Sequence, residues 1–168
     1  MADKSGTNKK RKSIITDDKE EQYFMALAVL AAMRSPDPEL GVGACIVDAD
    51  RKVVGLGYNR HPYGCEGFSW DKKEKHNYVC HAELNAIVNK NSVDVKNCSI
   101  YVTLIPCNEC AKLIIQSRIR EVVYLDEKKT KEEHIEAREL VFKMFTGAKV
   151  ICRQFMPDKK KIEINFDG

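Results

Sequence analysis

The sequence predicts a single α/β domain in which helices cover a mixed sheet. Five segments rich in β-branched residues alternate, for most of the chain, with segments whose apolar residues recur at helical spacing, and this alternation is typical of α/β proteins. The chain of 168 residues is long enough to bury a hydrophobic core of its own. Its composition, 43% hydrophobic and 32% charged, is that of an ordinary globular protein.

The predicted elements follow the chain in a simple order. The first is a helix over residues 19–34, which the proline-containing stretch SPDPEL stops. The segments VGACIVD and KVVGLGY then form a hairpin that turns around residues 49–51. A long loop over residues 59–78 follows, and a loop of that length in a small domain is usually functional. Beyond it we predict helices over residues 80–90, 107–117 and 131–145, and strands over residues 98–104 (CSIYVTL), 121–125 (EVVYL) and 149–155 (KVICRQF).

The first residues of the chain differ from this domain in composition. They carry no periodic apolar pattern, so we predict a disordered basic arm over residues 1–18, followed by one domain over residues 19–168. Within the arm, Lys9–Lys12 is a candidate nuclear import signal, although solvated basic tails are common. We recognise neither a secretory signal nor an apolar run of the roughly 20 residues that span a bilayer. We therefore expect a cytoplasmic protein with no membrane partner.

The charge of the chain is concentrated in the arm. Residues 1–13 hold five Lys or Arg against one Asp, and the rest of the chain holds 23 basic and 24 acidic residues. A dedicated nucleic-acid surface usually leaves a basic excess on the folded domain. The near-neutral body therefore argues against a polynucleotide partner.

A pair of cysteines, Cys107 and Cys110, opens a predicted helix just after Pro106. By itself such a pair can be a redox disulfide, half of a structural zinc site or part of a catalytic metal centre. Upstream, the sequence HAE begins with His81 and opens another predicted helix. One imidazole and two thiolates leave the fourth tetrahedral position open for water, which is the catalytic arrangement. HxE followed by PCxxC is the signature of zinc-dependent deaminases.

Glu83 supplies the proton chemistry that such a zinc site needs. Zinc lowers the pKa of a bound water, so that hydroxide exists near neutral pH. Glu83 is not one of the three predicted ligands, and it can take the water proton, deliver it to a ring nitrogen and protonate the departing ammonia. The backbone N–H of Ala82 is a candidate donor to a pyrimidine carbonyl. The alternative, a solvent-facing glutamate on a helix, is disfavoured by the zinc ligands beside it.

Beyond the metal motif, the chain resembles the deoxycytidylate (dCMP) deaminases from about Glu21 to the C-terminus. The likeness is carried by EQYFMALAVLAAMRSPDP, VGACIVD, GYN, VCHAELNAIVNKNSVDVKNCSIYVTLIPCNECAKLIIQSRIREVVY and KIEINFD, which include loops as well as the metal motif. The resemblance implies a cytidine-deaminase-like, three-layer α/β/α fold with a five-stranded mixed sheet. It also implies hydrolysis of dCMP to dUMP and ammonia, which supplies dUMP for thymidylate synthesis.

The resemblance further implies substrate contacts and regulation. By position, Asn59 of GYN contacts the nucleotide sugar, and Arg34 and Ser35 lie near the phosphate. A monophosphate needs cationic and hydroxyl donors, although an arginine at a helix C-terminus could merely complement the helix dipole. Family members are commonly homohexamers, and eukaryotic and phage members are typically activated by dCTP with Mg²⁺ and inhibited by dTTP.

The chain departs from the family pattern at Arg60, because the family has glycine after GYN. Arg60 could add a phosphate contact, block the effector or point into solvent. Four soft metal ligands also fall within or beside this loop, in two pairs with three residues between the members: His61, Cys65, His76 and Cys80. Here we favour loop histidines and packed cysteines over a second structural zinc.

Two alternative functions stay open at this point. The first is a zinc deaminase that acts on another cytosine substrate, such as dCTP, deoxycytidine or single-stranded nucleic acid. The second is a zinc-binding module without catalysis, which would require a fourth protein ligand or the loss of Glu83. Cys98 is the nearest candidate for that ligand, but it lies in a predicted strand without a paired partner.

Overall fold

The fold is described from a computed structural model, which describes residues 18–127, 132–158 and 161–166. The predicted basic arm, with its Lys9–Lys12 run, lies outside the described residues except for Asp18, which begins the first helix. None of the described helices is both long and apolar enough to cross a membrane.

Five helices and five strands make up the described fold. The helices are α1 (Asp18–Ala32), α2 (Lys72–Lys75), α3 (Ala82–Val88), α4 (Asn108–Gln116) and α5 (Glu132–Gly147). The strands are β1 (Gly43–Val47), β2 (Val53–Tyr58), β3 (Ser99–Leu104), β4 (Glu121–Asp126) and β5 (Ile151–Gln154).

The sequence predicted all of these elements except α2. This single helical turn lies within the loop predicted over residues 59–78, and Asp71 caps it by accepting a hydrogen bond from the backbone N–H of Lys73. Other differences concern the ends of elements. The last strand begins at Ile151 rather than residue 149, because Lys149 has a φ of 59° and lies in the left-handed region, outside strand geometry.

The strands form one sheet in the order β2-β1-β3-β4-β5. Strand β1 is antiparallel to both of its neighbours, whereas β3, β4 and β5 run parallel to one another. The prediction of a five-stranded mixed sheet is therefore confirmed.

Helices cover both faces of this sheet, which gives the predicted three layers. On one face α1 places Phe24, Met25 and Ala28 against Tyr101 and Val123 of the sheet. On the other face, α3, α4 and α5 share a second apolar cluster with the strands. All five residues of β1 are buried, as expected for a strand covered on both sides.

Helix α3 lies unusually close to β2. A Cβ atom added at Gly57 would lie 2.3 Å from the backbone oxygen of Ala82 and 2.3 Å from the backbone nitrogen of Ala86. Glycine is therefore required here by the approach of two backbones. Because Ala82 is the first residue of α3, this contact packs the start of that helix directly against β2.

Candidate metal centre and substrate cavity

The three predicted zinc ligands lie at the starts of two helices. His81 is the N-cap residue of α3 and Cys107 is the N-cap residue of α4, while Cys110 lies in the first turn of α4. The Sγ atom of Cys107 accepts a hydrogen bond of 3.5 Å from the backbone N–H of Cys110. The backbone N–H groups at a helix start favour negative charge, and they suit a thiolate in this position.

The side chains of these residues converge on one point. The Nδ1 atom of His81 lies 3.4 Å from Sγ of Cys107 and 3.3 Å from Sγ of Cys110. Tetrahedral zinc with ordinary Zn–N and Zn–S bonds would hold such atoms about 3.6 Å apart. Within the part of the chain that the structure describes, this is the one group of three or more His, Cys, Asp or Glu side chains close enough to share an ion. The donors therefore fit zinc.

The thiol groups respond to each other's charge. Hydrogen bonding from the Cys110 side chain and from His81 lowers the pKa of Cys107 to about 3 and outweighs the effect of burial. The neighbouring Cys107 thiolate and burial both raise the pKa of Cys110. A divalent cation between the two sulfurs favours both thiolates, since metal binding displaces the thiol protons.

Glu83 lies beside this group, as the sequence predicted. Glu83 is in the first turn of α3 and is only 3% exposed to solvent. Its side chain forms a hydrogen bond with the side chain of Cys110. Burial raises the pKa of the Glu83 carboxyl group above its ordinary value. Such a carboxyl group is suited to hold and release a proton next to a metal site.

A cavity of about 770 Å³ opens next to these residues. His81, Ala82, Glu83 and Cys107 line it on the metal side. Its other lining residues come from the segment that follows α1, from the loop that contains α2, from the segment between β3 and α4 and from α5. The volume lies in the range of pockets that hold small-molecule ligands.

Asn59 also lines the cavity and is buried. Its Oδ1 atom accepts a hydrogen bond of 2.8 Å from the backbone N–H of Val42, and its Nδ2 atom donates to the backbone oxygen of Leu40 over 3.0 Å. A longer bond of 3.4 Å reaches Oδ2 of Asp37. Asn59 thus holds the segment after α1 in place, and its predicted contact with a sugar stays a prediction.

Arg34 and Ser35, the residues expected near the phosphate, are not among those that line the cavity. The Arg34 guanidinium lies over the ring of Tyr58, 5.0 Å from the ring centre. The hydroxyl group of Ser35 donates to the backbone oxygen of Asn59 over 3.0 Å. Arg34 thus contacts the residue before Asn59 and Ser35 contacts Asn59 itself. Their predicted role at the phosphate stays a prediction.

Arg60 and its neighbours form an aromatic cluster outside the cavity lining. The guanidinium of Arg60 lies 3.8 Å from the ring centre of Tyr63, and its Nε atom donates to the backbone oxygen of His61. The buried ring of His61 stacks on Trp70 with 4.0 Å between ring centres. Among the described residues, the group of side chains close enough to share a metal ion does not include the four candidates for a second zinc: His61, Cys65, His76 and Cys80.

Sequence reasoning missed the ionic groups of the cavity wall. Lys75 is only 8% exposed at its side chain and donates to both carboxylate oxygens of Asp37, over 3.0 and 2.9 Å. Glu39 pairs with Lys75 and also with Lys72. The signal available in the sequence was the cluster of lysines in the long loop, but nothing there showed that SPDPEL would face it. A further pair, Arg138 with Glu127, lies at the α5 side of the cavity.

Comparison with known proteins agrees with this site. The family model described as "Cytidine and deoxycytidylate deaminase zinc-binding region" matches residues 18–126. Deoxycytidylate deaminase of Mus musculus is 52% identical over 155 residues, which are 88% of this chain and 85% of the mouse protein. Deoxycytidylate deaminase of Homo sapiens is 51% identical with the same coverage. A crystal structure of dCMP deaminase from cyanophage S-TIM5, in complex with dCMP and dUMP, has a TM-score of 0.65 at 24% identity and covers 82% of this chain and 98% of that chain.

The fold, the His-Cys-Cys group and the family model together show that the chain contains a zinc-binding deaminase domain. The family match covers more than half of the chain and includes all three ligands and Glu83. The chain therefore belongs to the cytidine and deoxycytidylate deaminase family. The predicted fold class, the family and zinc as the metal are thereby confirmed.

Proposed function

We propose that this protein hydrolyses dCMP to dUMP and ammonia and so supplies dUMP for thymidylate synthesis. The observation that carries this proposal is the position of Glu83, buried against the zinc-ligand group and lining a cavity of nucleotide size. Support for dCMP as the substrate comes from the mouse and human relatives, which are deoxycytidylate deaminases at 52% and 51% identity.

Glu83 performs the proton transfers in this proposal. His81, Cys107 and Cys110 would hold zinc, which would supply Lewis-acid activation of the attacking water. Glu83 takes a proton from that water and passes it to N3 of the cytosine ring while the water oxygen bonds to C4. Glu83 then takes the remaining water proton and delivers it to the amino group, so that the C4–N bond breaks and ammonia leaves. The burial of Glu83 keeps bulk water away from these transfers.

The remaining contacts orient the nucleotide. The backbone N–H of Ala82 is proposed to donate to the carbonyl oxygen at C2, and Ala82 lines the cavity next to Glu83. Asn59 is proposed to contact the sugar, which its place in the cavity lining supports. For the phosphate, Arg34 and Ser35 remain the proposal drawn from the sequence.

Regulation and assembly are proposed on the same resemblance. We propose a homohexamer that dCTP with Mg²⁺ activates and dTTP inhibits. Arg60, at the position that is glycine in the family, is the proposed effector or phosphate contact. It follows β2, and its guanidinium packs on the ring of Tyr63. We also propose a cytoplasmic location, with Lys9–Lys12 as the candidate signal for nuclear entry.

The competing function is deamination of another cytosine substrate. Steady-state assays of the zinc-loaded protein on dCMP, dCTP, deoxycytidine and single-stranded DNA separate these possibilities. We expect the highest kcat/KM with dCMP. A zinc-loaded protein that leaves dCMP unchanged would refute the proposal, and release of ammonia from none of the four substrates would favour a non-catalytic zinc-binding module.

A further inference from the structure

Two lysines and a glutamate form a bridged ionic group on the wall of the cavity. Lys72 and Lys75 belong to α2, and Glu39 lies in the segment after α1. One carboxylate oxygen of Glu39 lies 3.0 Å from Nζ of Lys72, and the other lies 3.2 Å from Nζ of Lys75. All three residues line the cavity. A carboxylate that bridges two ammonium groups in this way occupies a position that a phosphate group can also occupy, since both are anions with several oxygen acceptors.

We propose that Lys72 and Lys75 are the phosphate subsite of the cavity and that Glu39 holds the phosphate position until a nucleotide displaces it. The inference rests on the proposed function, because it assigns the 5′-phosphate of the nucleotide to a particular wall of the same cavity. It assigns phosphate binding to two cations that line the cavity instead of to Arg34 and Ser35, which do not line it.

Lys75 is positioned to serve as the fixed half of this subsite. Its ammonium group contacts both oxygens of Asp37 as well as Glu39. Asp37 is itself held by the backbone N–H groups of Glu39 and Leu40, over 2.9 and 3.3 Å. When the Glu39 carboxylate leaves, Asp37 still anchors Lys75, and the N–H bond that pointed at Glu39 becomes available to a phosphate oxygen.

Glu39 and Lys72 form the movable half. The side chain of Glu39 is 40% exposed and that of Lys72 is 73% exposed. An ion pair at such exposure contributes little to stability, so breaking the pair between Glu39 and Lys72 costs little when the carboxylate turns towards solvent. A phosphate carries about two negative charges against one on the carboxylate, and its attraction to two ammonium groups is correspondingly larger.

This arrangement distinguishes a nucleotide from a nucleoside. Deoxyuridine has no anionic group with which to displace Glu39, whereas dUMP does. Glu39 also opposes phosphate binding, because its own negative charge competes for the same two cations. Loss of the Glu39 charge should therefore strengthen binding of the nucleotide, and loss of the Lys72 charge should weaken it.

Arg138 is the rival cation in the cavity. Its guanidinium pairs with Glu127 at the α5 side, and the two side chains are 33% and 30% exposed. There one cation faces one carboxylate, whereas the α2 side presents two cations to a carboxylate that bridges them. We favour the lysine pair for this reason, and the experiment includes Arg138.

The test measures binding of dUMP and deoxyuridine to the zinc-loaded protein by calorimetry, so it does not depend on turnover. Lys72→Gln should weaken dUMP binding about tenfold, the usual cost of one charge-assisted hydrogen bond. Glu39→Gln should strengthen it several-fold, and neither change should alter deoxyuridine binding. Lys73→Gln and Glu74→Gln are matched controls on the same helix, since both side chains are exposed and neither lines the cavity.

Opposite shifts of dUMP affinity in Lys72→Gln and Glu39→Gln, with deoxyuridine unchanged, would support the subsite. Any other pattern overturns it, including a loss of dUMP affinity confined to Arg138→Gln or an equal response of both ligands. The proposed function is judged separately by dCMP turnover of the wild type. Wild-type turnover with unshifted dUMP binding in both variants rejects the subsite alone, whereas shifted binding without turnover rejects the reaction alone.

Discussion

The side-chain amide of Asn85 donates to the backbone oxygen of Tyr58 over 2.8 Å, which links the middle of α3 to the last residue of β2. The same amide reaches the backbone oxygen of Cys80 over 3.3 Å, one residue before the zinc ligand His81. Two chain segments that line the cavity are thus held to the helix that carries Glu83. Asn85 itself does not line the cavity.

Asn85→Ala should lower both stability and turnover. The backbone oxygen of Tyr58 loses its donor, and the free energy of unfolding should fall by about 1–2 kcal/mol. Urea unfolding and steady-state kinetics of the zinc-loaded protein check this. Asn89→Ala is the control, because Asn89 is exposed at the end of the same helix. Equal losses in the two variants would show that the Asn85 bond has no special role.

Glu83→Gln should retain zinc and lose turnover. The amide keeps the size of the side chain but cannot accept and return protons, so kcat with dCMP should fall at least about 100-fold. Metal analysis and steady-state assays measure both properties on one preparation. Glu109→Gln, in the first turn of α4 and 70% exposed, should behave as the wild type. Full turnover in a zinc-loaded Glu83→Gln protein would reject the mechanism.

Gly57→Ala should displace the start of α3. The added methyl group meets the backbone of Ala82 and Ala86 at 2.3 Å, and backbone atoms cannot move aside as a flexible side chain can. We expect a loss of about 1–3 kcal/mol in the free energy of unfolding, together with lower turnover because His81 and Glu83 move with the helix. Thermal unfolding and kinetics test this. Gly67→Ala is the matched control, since its added Cβ has no neighbour within 4 Å.

The Asp37 carboxylate should make stability depend on pH in the acid range. Burial would raise the pKa of Asp37, but hydrogen bonds from the backbone of Glu39 and from Lys75 outweigh it and lower the pKa below 3.8. The folded protein thus binds this proton less tightly than the unfolded chain, so the stabilisation is complete above pH 3.8 and is lost as the pH falls below that value. The stability difference between the wild type and Asp37→Asn should therefore shrink as the solution is acidified.

Urea unfolding of both proteins from about pH 6 to about pH 3 measures that difference. Asp50→Asn, at an exposed carboxylate in the turn between β1 and β2, controls for the general effect of removing a charge. A difference that stays constant over the whole range would contradict the assignment to Asp37.

Arg60→Gly should change the response to nucleotides more than basal turnover. The guanidinium packs on Tyr63 and donates to the backbone oxygen of His61, away from the lining of the cavity. Its loss removes a cation and two contacts from the loop without touching the zinc ligands. Turnover of dCMP is measured against increasing dCTP with Mg²⁺ and against increasing dTTP. Identical response curves for the variant and the wild type would contradict the prediction.

The helices, the strands and the metal group could be predicted because each produces a local pattern in the sequence. Helical and strand periodicities reflect burial, and the zinc ligands occupy N-cap and first-turn positions of two helices at fixed spacing. The ionic groups on the wall of the cavity produce no such local pattern. Lys75 is buried because Asp37, distant in the sequence, reaches it in the folded chain, and a contact of this kind depends on how two loops meet. The short helix α2 was missed for a related reason, since four residues are too few to show a period.

The two sides of the cavity are lined by different kinds of chain segment, which affects how substrate choice can change. The metal side is built from the starts of α3 and α4, which pack on the sheet, whereas the opposite wall comes from the segment after α1, the α2 loop and α5. Loops tolerate exchange better than packed elements do. The two loop segments of that wall can therefore be exchanged while the metal group and the packed helices are kept, and grafts of residues 36–41 and 66–78 from one deaminase onto another are a direct route to altered specificity.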